Sequence, residues 1–236
     1  MYVFILATII VILLLCIRTK KMNLDKKIIL NKTNVVRGSG FYVLPNIMSD
    51  VSREYLVNKL LSKCKKQKKL NEDIILTSYN DNTIGEQISK IIGKKLFPVN
   101  IYDQQRCWIR YYFSGMKNQY YENFHHDLGR YSVNTKQYRV IIPLHDTSNS
   151  EFEIDGYKPF KFTQNTGVIL EADNCLHKVK FTSGERLLLI MDFIDKPYCD
   201  NLMGHFMCRG PQGLIKWGFD IAWRKLSSYA YKIRNQ

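Results

Sequence analysis

From Gln105 onward the chain breaks into short runs rich in β-branched and aromatic residues: RCWIRYYF, KQYRVIIPL, EFEI, FKF, TGVILEA, HKVKF and RLLLIMDF. Turn residues separate them. Each run is long enough for a strand and too short for a useful helix, the pattern of an all-β sandwich or barrel. The first half reads differently. VSREYLVNKLLSKCKK sets Val51, Tyr55, Leu56, Leu60 and Leu61 close to a helical period behind a Ser49 or Asp50 cap. TIGEQISKIIGKKL predicts a second amphipathic helix over residues 83–96, ahead of Pro98. FYVLPN predicts a short strand stopped by Pro45. Helices first and strands after give an α+β class, with helices bracing one side of a β-sandwich.

The two ends carry their own patterns. Residues 2–17, YVFILATIIVILLLCI, hold no charge and sit at the short limit of a bilayer span, which needs about 17 residues or more. The basic Arg18, Lys20 and Lys21 follow the run, and no small-residue cleavage site is visible. This order predicts an uncleaved single-pass transmembrane anchor over 1–17 rather than a signal peptide. The lysine and arginine excess beyond it would put the rest of the chain in the cytosol. Residues 18–40 read as a basic linker ending in RGSG, so the domain proper is 41–236, with its strand-rich core over about 105–195. After Pro211, Trp217, Phe219, Ile221, Trp223, Leu226, Tyr229 and Ile233 alternate with basic residues. They predict an amphipathic helix over 211–233 that packs on the sandwich or lies on a membrane surface.

Composition narrows the class. With 236 residues, 45% hydrophobic and 13% aromatic, the chain can bury a real core and is not a disordered segment. The net charge of +14 bears on partners such as anionic surfaces, not on fold. Its two basic concentrations, Arg18 to Lys32 and Lys59 to Lys69, read first as solvated faces and second as sites for acidic lipid or nucleic acid. None of the six cysteines stands in C-x-x-C spacing, which disfavours a zinc ribbon or thioredoxin-like site. Cys199 and Cys208 could close a small loop in an oxidising compartment, and a reduced pair is equally consistent.

The candidate chemistry lies in FHHDLGRY and LEADNCLHKVKFTSGERLLLIMDF. His125 and Asp127 flank one residue, so on an extended strand they project to the same side while His126 points away. HHD leaves that register open. His177, from a later strand, completes two imidazoles and a carboxylate, the set that holds a non-haem Fe(II) on one face and leaves the other open. Arg186, nine residues beyond His177, could grip an acidic co-substrate bidentately. A lone histidine is usually a core residue and HHD alone is weak. Four such residues in this order are far more specific.

This H-x-D … H … R pattern, spanning Trp108 to Phe193, resembles the 2-oxoglutarate-dependent Fe(II) oxygenases, and the prolyl 4-hydroxylase-like branch in particular. The resemblance implies a double-stranded β-helix (jelly roll) with His125, Asp127 and His177 as iron ligands. It implies that Arg186 salt-bridges the distal carboxylate of 2-oxoglutarate, and that Tyr112 lines that pocket. Cofactors would be Fe(II), 2-oxoglutarate and O2, with ascorbate admitted, and the product a hydroxylated C–H bond beside succinate and CO2. Membrane-anchored relatives often face the endoplasmic reticulum lumen, against the charge rule. Arg139 reads equally as a second anion contact or an exposed strand residue.

The chain departs from each branch somewhere. DTSNSEFEIDGYKPF lacks the glycine- and threonine-rich strand of prolyl 4-hydroxylases. Asp192 stands where alkylation-repair demethylases carry a second arginine, which counts against nucleic acid. Aspartyl and asparaginyl hydroxylases share the tail but lack the Asp127 carboxylate. A protein or peptide substrate follows, with specificity expected from loops at 73–82 and 146–157. The alternative is a catalytically inactive sandwich, tethered to a membrane and binding partners through its basic patches. A cupin-like or zinc-bound use of the same ligands is the third reading. Oligomeric state is not indicated.

Overall fold

The computed structural model describes residues 22–24, 26–67, 71–80, 83–101, 104–105, 107–114, 123–127, 136–172, 174–181 and 183–196. The expected anchor at 1–17, the helix at 211–233 and the Cys199–Cys208 pair lie outside them. Three helices are described: α1 (Asp50–Gln67), α2 (Thr77–Asn80) and α3 (Thr83–Ile92). The early strands are β1 (Met22–Leu24), β2 (Val36–Gly38), β3 (Phe41–Leu44), β4 (Asn71–Leu76), β5 (Phe97–Pro98), β6 (Asn100–Ile101) and β7 (Gln104–Gln105). The later ones are β8 (Cys107–Phe113), β9 (Gln137–Asp146), β10 (Glu151–Ile154), β11 (Phe160–Lys161), β12 (Gly167–Glu171), β13 (His177–Lys180) and β14 (Glu185–Ile194).

The major sheet runs β1-β4-β8-β14-β9-β12-β3-β2, with β5 on β14, and a smaller sheet runs β11-β10-β13. Only β1 and β4 pair in parallel among the pairings described. Strand alternation sorts the major sheet's two faces. One face supplies Ile109, Tyr111, Val140, Ile142, Leu187, Leu189 and Phe193 to a core that Leu56 and Leu60 of α1 and Ile84, Ile88 and Ile92 of α3 complete. The opposite face supplies Tyr112, Ile141, Val168, Leu170, Leu188 and Ile190 to a second core with Phe152 and Ile154 of the small sheet. The result is an antiparallel β-rich α+β fold in three layers: helices, major sheet, small sheet. The expected helix brace is where the sequence put it.

Local chemistry sets the helix ends. Ser49 is the cap of α1: its carbonyl accepts from Arg53 N at 2.9 Å and its Oγ from Ser52 N at 3.4 Å. α3 ends at Ile92 rather than residue 96, because Gly93 turns left-handed (φ 73) and donates back to Ser89 O at 2.9 Å. In β9, Pro143 has no N–H to give, and the β9–β14 register shifts between Leu187 and Leu188. Leu188 opposes Pro143 and Leu187 opposes His145, so Leu144 is the extra residue. The shift carries Asp146, instead of His145, opposite Arg186.

Three expectations are corrected. Residues 18–40 are not simply a linker: β1 and β2 join the major sheet, and Leu24 and Ile28 are fully buried. Lysines 26 and 27 hide that in the sequence, since they face outward while the Ile28 N–H donates to Ser78 Oγ at 2.8 Å. The expected specificity loop at 73–82 is largely β4 and α2. Its Tyr79 is fully buried, with the hydroxyl accepting from Val99 N at 3.0 Å and donating to Asp192 O at 2.8 Å. Finally, no helix among the described residues is long and apolar enough to cross a membrane. The longest, α1, carries Asp50, Arg53, Glu54, Lys59, Lys63, Lys65 and Lys66. The single-pass membrane localisation is therefore corrected; the run at 2–17 that prompted it lies outside the described residues.

Candidate active site

His125 and His177 oppose one another in a reciprocal backbone pair, N to O at 2.9 Å and 3.0 Å. Opposed residues of an antiparallel pair put their side chains on the same face, and the two imidazole centroids stand 4.5 Å apart. Asp127, two positions on from His125, falls on that face as well. One ligand atom from each of His125, Asp127 and His177 lies within 4.8 Å of the others. Asp127 Oδ2 is 3.5 Å from His177 Nε2. Three atoms held at about 2.1 Å on one octahedral face of a metal ion would stand about 3 Å apart, so the spacing needs little closure.

Hydrogen bonding fixes what these atoms offer. His125 Nδ1 faces Asn123 O at 2.9 Å, and His177 Nδ1 faces Cys175 O at 3.0 Å. A carbonyl oxygen only accepts, so each Nδ1 carries a proton, and in the neutral form of each ring the lone pair lies on Nε2. Burial pulls His177 below its ordinary range, outweighing the upward pull of Asp127 and of the Cys175 carbonyl, so the ring is neutral. Burial pushes the Asp127 carboxyl up, but the positive charge beside it, Arg139 first, more than reverses this and leaves it below its ordinary value. Two imidazole nitrogens and a carboxylate thus converge, a set that a cation would complete. Phe152 backs it, stacked on His177 at 5.4 Å and 4°. The HHD register is resolved: His126 stands outside the group, its Nδ1 buried without a hydrogen-bond partner.

Arg139 is a strand residue but not an exposed one, and the anions it meets are carboxylates of the chain itself. On β9 it opposes Asp192 of β14, donating Nε to Oδ1 at 2.9 Å and Nη2 to Oδ2 at 3.1 Å. Its remaining nitrogen, Nη1, donates to Asp127 Oδ1 at 2.6 Å. The Trp108 ring covers the guanidinium at 5.1 Å. Asp192 is fully buried.

Arg186 comes to the same interior. It is 2% exposed, opposes Tyr112 across β8–β14, and lies 4.7 Å over the Phe162 ring. Phe162 meets Phe152 edge-on at 5.0 Å, and Phe152 is the ring stacked on His177. One aromatic lining therefore runs from the triad to the arginine. The structure brings together His125, Asp127 and His177, and separately Arg186 with Tyr112, whose hydroxyl accepts from Arg110 Nη1 at 3.3 Å. Asp146 is the unexpected neighbour. Its Oδ2 lies 3.1 Å from Arg186 Nε, close enough for an ion pair but misaligned for a hydrogen bond. Arg186 Nη2 is buried with no hydrogen-bond partner. A buried guanidinium edge left unsatisfied costs stability unless something anionic meets it, so a carboxylate ligand fits there.

Sequence reasoning missed the Arg139–Asp192 bridge and the Asp146 carboxylate. Arg139 and Asp192 are opposite charges on runs that both read as core strands, a weak pairing signal. Nothing in the sequence reports the bulge that swings Asp146 inward.

No family model matches the chain, and no curated protein does. Solved structures do, and they are prolyl hydroxylases and other 2-oxoglutarate-Fe(II) oxygenases. A viral collagen prolyl hydroxylase from Paramecium bursaria chlorella virus 1, solved with 2-oxoglutarate, is 12% identical with a TM-score of 0.48, covering 68% of this chain and 98% of its own. A prolyl 4-hydroxylase from Phytophthora capsici is 12% identical at a TM-score of 0.47, over 79% of this chain and 69% of its own. One from Pseudomonas putida is 12% identical at 0.45, over 67% and 89%.

Proposed function

We propose that this chain is a 2-oxoglutarate- and Fe(II)-dependent dioxygenase, built on a jelly-roll core, that hydroxylates a side chain of a protein or peptide. The observation that carries this reading is the donor set: a carboxylate held ionised, and two imidazoles whose Nδ1 protons are committed to backbone carbonyls, converge within 4.8 Å. His125, Asp127 and His177 would hold the ferrous ion, which suits two nitrogens and one oxygen on a single face. Arg186 would take the distal carboxylate of 2-oxoglutarate on its unpartnered Nη2, with Tyr112 beside it on the facing strand. Bound there, iron and co-substrate would supply the oxidant: one oxygen atom of O2 would enter a substrate C–H to give C–OH, and the other would enter succinate as 2-oxoglutarate loses CO2.

The protein's own groups do the rest. Phe152, stacked on His177, and Phe162, under Arg186 and edge-on to Phe152, would limit water access between triad and arginine. Arg139 orients Asp127. A protein or peptide substrate is favoured over nucleic acid by Asp192, which stands where alkylation-repair demethylases carry an arginine. One observation favours a non-catalytic reading: Asp146 already balances the Arg186 charge at 3.1 Å. Turnover of 2-oxoglutarate to succinate by the full-length chain with Fe(II) and O2 separates the two. The oxygenase gives turnover that disappears in His177→Ala and Asp127→Ala while the fold, read by circular dichroism, is kept. Turnover unchanged in those variants refutes the assignment, and a folded wild type without turnover favours the inactive sandwich.

A further inference from the structure

Asp127 has two carboxylate oxygens, and they face different partners. Oδ2 is 3.5 Å from His177 Nε2, while Oδ1 takes a 2.6 Å hydrogen bond from Arg139 Nη1. A carboxylate with both oxygens available can chelate a metal ion through both and take up a coordination position that a ligand or water would otherwise use. Here one oxygen is engaged by a guanidinium that cannot easily move. Arg139 is held through Nε and Nη2 by Asp192 at 2.9 Å and 3.1 Å, and Trp108 covers its face at 5.1 Å.

The charge arithmetic is equally specific. A lone arginine against a metal-binding carboxylate would oppose the cation it is meant to serve. Asp192, fully buried and paired bidentately, cancels that charge. Asp192, Arg139 and Asp127 together carry the single negative charge that Asp127 would carry alone. Arg110, which also acts on Asp127, lies on β8.

We propose that Arg139, neutralised by Asp192, is a positioning residue that reserves Oδ1 of Asp127 and leaves only Oδ2 to the metal, keeping the remaining coordination face open. The proposal rests on the reading of His125, Asp127 and His177 as a metal site. It makes the Arg139–Asp192 bridge part of the site rather than an ordinary strand-to-strand ion pair.

Mn(II) tests it without turnover. Affinity is read by titration of the full-length protein, and bound water is counted by the broadening that 17O-water gives the Mn(II) electron paramagnetic resonance signal. Asp192→Asn keeps one of the two bonds that anchor Arg139 and exposes its charge while Nη1 stays on Asp127, so Mn(II) affinity falls by about 10- to 100-fold, the range for supporting partners of metal ligands, with bound water unchanged. Arg139→Gln combined with Asp192→Asn removes the clamp without changing net charge, and Asp127 then chelates through both oxygens at the expense of one bound water. Arg139→Lys does not restore wild-type behaviour, because an ammonium cannot bridge both carboxylates in a plane. The proposal is overturned if the double variant keeps the wild-type water count, or if Asp192→Asn binds Mn(II) as tightly as wild type. A wild type that binds no Mn(II), or binds it equally after His177→Ala, overturns the metal-site reading and this proposal with it.

Discussion

Removing the Arg186 guanidinium should harm the fold more than removing its partner along with it. Arg186 and Asp146 are each 2% exposed in their side chains, and Nε lies 3.1 Å from Oδ2. At an effective dielectric of about 20, unit charges at that separation attract by about 5 kcal/mol before desolvation is counted. Arg186→Met leaves the Asp146 carboxylate buried without its countercharge, a loss of about 3–5 kcal/mol. Ser148 moderates this, since its N–H donates to Asp146 Oδ1 at 2.8 Å and its hydroxyl at 2.5 Å. The lower end of the range is therefore expected. Arg186→Met with Asp146→Asn leaves no charge stranded and should fall within about 1–2 kcal/mol of wild type. Urea unfolding at pH 7.5 of wild type, both single variants and the double variant measures the cycle. The same samples with Mn(II) add the ligand arm. Saturating 2-oxoglutarate, at about 100 times its dissociation constant, should stabilise wild type by about 2.7 kcal/mol and neither Arg186 variant. A single Arg186→Met variant as stable as wild type, or a double variant no better than that single, would refute the reasoning.

Two further outcomes test the fold around the site. Burial pushes the Glu171 carboxyl up, but Asn174, Lys94 and Lys136 outweigh this and hold it below its ordinary value. Its contribution is therefore present above about pH 4.3 and lost as pH falls through the folded value. Glu171→Gln should cost about 1 kcal/mol at pH 7, because the lysine partners are roughly half exposed, and nothing near pH 2.5; a deficit of the same size at both pH values in chemical unfolding contradicts it. Gly184 has φ 90, and a Cβ there would sit 2.7 Å from the Thr147 carbonyl oxygen. Gly184→Ala should lower stability by about 1–3 kcal/mol, and a thermal midpoint equal to wild type would show that the β13–β14 turn yields freely.

Much of the site was legible because strand alternation is a simple rule. His125 and Asp127 converge as that rule expects of extended chain, although His125 makes only an isolated bridge to His177 and Asp127 lies in no strand. Arg186 follows His177 at the distance of the next strand. The helix over α1 was equally plain from Leu56 and Leu60. What escaped is set by register between distant segments. The bulge at Pro143 and Leu144 decides whether His145 or Asp146 meets Arg186, and a period of two carries no such information. Arg139 could be placed only once β9 and β14 were aligned, since its two carboxylate partners lie 12 residues before it and 53 after it. β1 and β2 escaped for a different reason: each is three residues long, and around β1 the lysines mask the buried Leu24 and the nearby Ile28.

Anaerobic visible spectroscopy of the full-length protein with Fe(II) and 2-oxoglutarate addresses the central claim most directly, because Zn(II) or an empty sandwich cannot produce the Fe(II)–keto acid charge-transfer band. The band should appear in wild type, vanish in Asp127→Ala and His177→Ala, and need more 2-oxoglutarate in Arg186→Met. A folded wild type without the band, or one whose band is indifferent to Asp127 and His177, would contradict the account.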